Sequence, residues 1–172
     1  MFTRVKVQTD LSAILEINHK LRPAQSCIAT KIFKVEETKF PSSICKENTT
    51  IHQNWWQLNE LPIAKIEEEL GMDIKTVSSV LLPPGNVIPI HSDTFDKMRS
   101  EYPGRDDYVR AVIYVSSYSP GQLTQVRWEK QWHTHTFWAP GDGYIWNDQV
   151  PHVTVNGSLQ DLYIVNFSGF LR

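Results

Sequence analysis

The pattern of apolar and polar positions changes near residue 75. Before that point, short apolar clusters recur at helical spacing. After it, runs of Val, Ile, Tyr and Thr alternate with turn residues. Leu11, Ile14, Leu15 and Ile17 share one helical face behind two capping residues, Thr9 and Asp10, and predict a helix running to Lys20 and bounded by Pro23. Cys27, Ile28, Ala29, Ile32, Phe33 and Val35 predict a strand over 27–35. The clearest helix signal begins at Asn59. Pro62 falls near its first turn, Ile63, Ile66 and Leu70 follow at helical intervals, and Gly71 closes it as C-cap.

Beyond residue 75 the apolar runs are short and β-branched. Lys75–Leu82, Val87–His91, Tyr108–Ser116, Leu123–Trp128, Trp132–Trp138, Tyr144–Asn147, Val153–Val155 and Leu162–Phe167 predict strands. Pro83-Pro84-Gly85-Asn86, Ser119-Pro120-Gly121 and Pro140-Gly141-Asp142-Gly143 predict turns between them. Seven or eight short strands at this spacing predict a mainly β fold, a closed sandwich or small barrel with flanking helices. The polar segment Phe95–Asp107 reads as a loop, either an ordinary exposed one or one that orders over a substrate.

Length and composition then set bounds. A chain of 172 residues is one domain's worth. Its first 75 residues read as an elaboration on a core over 76–172. With 41% apolar and 21% charged residues, the chain has an ordinary globular balance, which excludes a collagen-like or largely disordered chain. No apolar run is long enough to span a bilayer, and Met1–Lys6 carries no apolar export core, so a cytoplasmic location without a membrane role is expected. A net charge of -2 argues against a nucleic-acid partner. Cys27 and Cys45 form no CxxC pair, which favours free thiols and argues against a cysteine zinc site.

The candidate chemistry lies at His91, Asp93 and His152. His91-Ser92-Asp93 sits at a strand end, where side chains at i and i+2 point to one face and an imidazole can meet a carboxylate. His152 starts a later strand. Two histidines and one carboxylate on one side of a metal leave its other side open, the arrangement of non-haem Fe(II) oxygenases. The bare triplet also fits a turn with a satisfied His and a solvated Asp. Its setting, after Pro83–Ile90 and ahead of a second His in a β-rich stretch, favours the metal.

Three ordered stretches carry a family resemblance: Leu82–Asp93, Arg110–Val115, and Gly141–Asn147 running on through Pro151–Asn156. In this order and spacing, over about residues 76–168, the chain resembles the 2-oxoglutarate- and Fe(II)-dependent dioxygenase superfamily. The branches it is most similar to are the aspartyl/asparaginyl β-hydroxylases, the prolyl hydroxylases and their small phage and bacterial relatives. The resemblance implies a double-stranded β-helix, a cupin-like jelly roll with the metal at one mouth. It implies Fe(II) held by His91, Asp93 and His152, with 2-oxoglutarate and O2 as co-substrates. It also implies hydroxylation of a C–H bond on an amino-acid, peptide or protein side chain. The carboxylate at Asp93 favours hydroxylation over halogenation, since halogenating relatives carry a small residue there.

One position departs from the family pattern. The Arg or Lys usually found about ten residues after the distal His, to pair with the far carboxylate of 2-oxoglutarate, is here Leu162. A carboxylate needs a cation, and Arg110 and Arg127 are the candidates. Strand periodicity puts Arg110, Val112 and Tyr114 on one face. Family branches that take the cation from this strand, or a hydrogen bond from a similar Tyr, make Arg110 with Tyr114 the expected cofactor-binding pair. Trp146 and Asn147, just before His152, are candidate substrate contacts, with packing and turn capping as the alternatives. His133 and His135 form a second HxH pair, expected to face solvent and next in line as a metal site. Trp55 and Trp56 read as core or as a substrate lid. The rival function is a metal-binding jelly roll or interaction protein without 2-oxoglutarate turnover, motivated by Leu162.

Overall fold

The computed structural model describes residues 1–15, the strand Gln25–Ile28, and residues 48–172. Eleven strands fall among these. They are β1 (Phe2–Lys6), β2 (Gln25–Ile28), β3 (Thr50–Trp56), β4 (Met72–Leu82), β5 (Asn86–His91), β6 (Tyr108–Tyr114), β7 (Gln122–Trp128), β8 (Gln131–His135), β9 (Asp142–Asn147), β10 (His152–Asn156) and β11 (Leu162–Leu171). All pairings are antiparallel. Seven strands form one sheet in the order β1-β9-β6-β11-β4-β3-β2, and four form a second in the order β5-β10-β7-β8. The two sheets face each other as a jelly roll, as the strand spacing and the resemblance predict.

The large sheet is buried on both faces, and this explains its near-continuous apolar runs. Along β11, Tyr163, Val165 and Phe167 join an outer core, while Leu162 and Ile164 join the core between the sheets. Along β6, Val109, Ala111 and Ile113 face outward and Val112 and Tyr114 inward, confirming the period-2 reading. The outer core is capped by α1 (Ile63–Leu70) and by Leu11 and Ile14. Ile66 and Leu70 of α1 are buried, and each such side chain contributes about 1.5–3 kcal/mol. Gly71 ends α1 at φ 62°, a left-handed cap that favours glycine.

The N-terminal helix is seen over residues 12–15, with Asp10 Oδ1 accepting from the Ser12 amide at 2.8 Å as its cap. Its expected continuation to Lys20, most of the expected strand over 27–35, and Cys45 lie outside the described residues. Two strands carry little sequence signal. β1 is short and rich in polar residues, and β3 (TIHQNWW) interrupts its apolar positions with amides. The segment expected to be a loop over 95–107 instead contains α2 (Asp96–Glu101). Six residues are too few to show helical periodicity. What fixes α2 is tertiary: Phe95 and Met98 are buried with Tyr108 and Phe170.

Candidate metal centre

β5 and β10 are paired so that His152 lies directly opposite His91. Their ring centroids are 4.2 Å apart. Asp93, two residues beyond His91, turns in from the segment that leaves β5. One ligand atom from each of the three residues lies within 4.8 Å of the others, and all three side chains are buried. Among the described residues this is the one cluster of three or more His, Cys, Asp or Glu close enough to share a metal.

The hydrogen bonds around the histidines fix which nitrogen is basic. His91 Nδ1 lies 2.7 Å from Pro89 O, and His152 Nδ1 lies 3.0 Å from Val150 O. A carbonyl only accepts, so each Nδ1 carries the proton and each ring keeps its lone pair on Nε2. Burial, and then the neighbouring His152 ring, push His91 down to about 3. Burial lowers His152 as well. Both rings are therefore neutral at pH 7, the form that binds a metal.

Asp93 stays charged. Burial alone would raise its pKa, but the Arg110 guanidinium foremost, then the two imidazoles and the Trp146 N–H, hold it down at about 2. Arg110 Nη1 donates to Asp93 Oδ1, and Trp146 Nε1 donates to Asp93 Oδ2 at 2.8 Å. Arg110 also donates from Nε to Ser168 Oγ at 3.1 Å and lies over the Phe95 ring at 5.2 Å. Phe95 holds a left-handed backbone, φ 53°, which is uncommon for a bulky residue and is found preferentially at functional sites. Two neutral imidazoles and one carboxylate, with an open side toward the cavities, fit a divalent transition metal such as Fe(II).

Two cavities adjoin the centre. The outer one, about 200 Å³, is lined by Gln53, Trp55, Thr76, Arg110 and Ser168 together with residues 92–98. The inner one, about 50 Å³, runs between the sheets past Val80, Ile88, Val112, Thr154, Ile164 and Asn166. Arg110 lines both and, among the described residues, is the one cation on the inner one.

The predicted site residues separate here. His91, Asp93, His152, Arg110 and Trp146 come together. Tyr114 does not join Arg110. It lies four residues deeper on β6, about 13 Å along a strand, lines neither cavity, and stacks on Trp138 at 4.0 Å. Its hydroxyl is buried without a partner among the described residues, and burial raises its pKa. Asn147 points off the cavity side of β9, and its Oδ1 accepts from the Gln149 amide at 3.4 Å, the turn-capping alternative. Arg127 is exposed and Leu162 is packed at 0% exposure.

His133 and His135 correct an expectation. They are half-buried rather than open to solvent, because Phe2 of β1 packs against both rings and Tyr144 against that of His135. Trp55 and Trp56 sit in different surroundings. Trp56 is core, donating to Ser79 Oγ at 3.0 Å, while Trp55 is 53% exposed at the outer cavity beside Lys97. Ser168, Thr76 and Phe95 also line the outer cavity, without a sequence motif that marks them. The available signal was Asn166 and Ser168 at i and i+2, two polar residues interrupting the apolar strand β11 on its cavity face.

The fold is one shared with solved 2-oxoglutarate- and Fe(II)-dependent oxygenases. Among solved structures, a Pseudomonas putida prolyl-4-hydroxylase superposes with a TM-score of 0.63 at 15% identity, over 99% of this chain and 92% of that one. An oxidoreductase of the 2OG-Fe(II) oxygenase family from Burkholderia pseudomallei gives 0.64 at 14%, over 98% and 85%. A viral collagen prolyl hydroxylase from Paramecium bursaria Chlorella virus-1 gives 0.57 at 14%, over 99% and 96%. No protein-family model and no curated protein sequence matches the chain.

Proposed function

We propose that the chain is a non-haem Fe(II)- and 2-oxoglutarate-dependent oxygenase that hydroxylates a C–H bond of an amino-acid, peptide or protein side chain. The observation that carries the reading is the pair of buried histidines. Backbone carbonyls set their tautomers, so that both offer Nε2 beside an ionised, hydrogen-bonded carboxylate. Iron bound there, with 2-oxoglutarate and O2, supplies the oxidation of a C–H bond to C–OH as 2-oxoglutarate is converted to succinate and CO2. The prolyl hydroxylases among the structural neighbours support a peptide or protein substrate.

The chain's own residues do the rest. His91, Asp93 and His152 hold the metal, and the buried walls of the inner cavity keep water away from it. Arg110 supplies the cation for the far carboxylate of 2-oxoglutarate. Ser168 and Phe95 hold its guanidinium at the junction of the two cavities. The outer cavity, with Trp55 and Lys97 at its rim, receives the substrate.

A second reading, metal binding without 2-oxoglutarate turnover, is favoured by one observation. Arg110 is engaged with Asp93, and the usual anchor position is the packed Leu162. Succinate release from 2-oxoglutarate, with Fe(II) and ascorbate, separates the two. The proposed function predicts release by the wild type and none by Asp93→Ala. It predicts a KM for 2-oxoglutarate raised roughly tenfold to hundredfold in Arg110→Ala, the equivalent of charge-assisted hydrogen bonds of about 1.5–3 kcal/mol. Metal uptake with no succinate would support the second reading.

A further inference from the structure

Trp146 touches two of the three ligand residues at once. Its indole N–H donates to Asp93 Oδ2 at 2.8 Å, and its ring centroid lies 4.3 Å from that of His152. It is 1% exposed, so it does not present a face to an incoming substrate at the outer cavity. The β6–β9 ladder places Trp146 directly opposite Arg110. From these neighbouring strands the two side chains reach different oxygens of the same carboxylate.

The two contacts differ in kind. Arg110 is a charged, half-buried side chain with a second polar partner, Ser168, and under the proposed function it must also serve the co-substrate carboxylate. Trp146 has a rigid ring with one N–H and no acceptor, so its bond to Asp93 admits one geometry. Partners behind metal ligands typically change metal affinity 10–100-fold.

We propose that Trp146 is a positioning residue of the metal centre. It fixes the Asp93 carboxylate and braces the His152 ring, and it holds that arrangement whichever anion Arg110 serves. This rests on the metal reading of His91, Asp93 and His152. It replaces the substrate contact expected of Trp146 with a role behind the ligands.

The test uses full-length protein carrying 15N-labelled indoles. The indole N–H signal that disappears in Trp146→Phe belongs to Trp146. That signal is expected to move in Asp93→Ala, where the charged acceptor is gone, and to move again in the wild type on addition of Zn(II). Titration with Co(II) is expected to show affinity at least about tenfold weaker in Trp146→Phe, with a changed visible d–d band. A Trp146 signal indifferent to Asp93→Ala overturns the proposal; if Trp146→Phe does not fold, the signal is assigned by elimination from single Phe substitutions of the other five tryptophans. Wild-type Co(II) affinity and spectrum in a folded Trp146→Phe overturn it while leaving the metal reading intact. Failure of the wild type to take up Co(II) or Zn(II) overturns both.

Discussion

Two histidine pairs share one face of the small sheet. His91, His152, Val126 and His133 lie in one row across β5, β10, β7 and β8, and His135 lies one row deeper, level with Thr124 and Thr154. Burial is the leading cause of depressed basicity at His91 and His152 in the first pair and at His135 in the second, to about 3 for His91 and about 4 for His135. A histidine basicity lowered by burial is therefore not what distinguishes the candidate metal centre here. The difference lies in what surrounds them. The first pair has a carboxylate within reach and backbone carbonyls on both Nδ1 atoms. The second has Phe2 and Tyr144 against its rings, the positive charge of Arg4 nearby, and a buried His135 Nε2 with no partner among the described residues. An aromatic cage beside a cation packs a histidine; a carboxylate and two carbonyls orient one for a ligand.

Substitution should separate the pairs most sharply. Asp93→Ala, His91→Ala and His152→Ala are each expected to abolish measurable Mn(II) binding by isothermal titration. His133→Ala and His135→Ala should leave the affinity within about twofold, since neither touches a ligand to the metal. Loss of Mn(II) binding in His133→Ala would join the pairs into one site.

Acid should act on His91, His152 and His135. His91, His152 and His135 all bind protons less readily in the folded chain than at the ordinary histidine value of 6.5. The unfolded chain thus takes up more protons, and the stability these groups contribute is complete above pH 6.5 and lost as pH falls toward 3. Asp93, held at about 2 against the ordinary 3.8, adds a further loss across that lower window. Thermal melting of the metal-free protein should show stability already declining between pH 6.5 and 5, above the carboxylate range. A melting temperature flat across that interval would contradict the depressed basicities.

The smallest effect is expected at His135→Phe, which swaps one ring for another inside an aromatic cluster. Its melting temperature at pH 7 should stay within a few degrees of the wild type, and its decline toward pH 5 should be shallower. A collapse in stability would mean that the His135 ring makes a polar contact the packing does not show.

The candidate metal cluster was legible because its signal is local. His91 and Asp93 are two residues apart at a strand end, and the turn-rich lead into His152 marks another. The strands of the jelly roll were legible because their apolar runs are bounded by Pro and Gly. The surroundings of the site were less so. Trp146 binding Asp93 depends on the β6–β9 register, which no residue spacing reveals. The pairing of Arg110 with Asp93, like the helix α2 around Met98, is set by tertiary contact. The half-burial of His133 and His135 depends on β1, a five-residue strand too polar to read as one.

Under the proposed function, His91, Asp93 and His152 hold iron with an open side that 2-oxoglutarate can chelate. Anaerobic addition of Fe(II) and then 2-oxoglutarate, followed by visible absorbance, tests it directly. The account predicts a weak charge-transfer band in the wild type and in His133→Ala, and none in His152→Ala. Iron uptake by the wild type without that band, or no iron uptake at all, would contradict it.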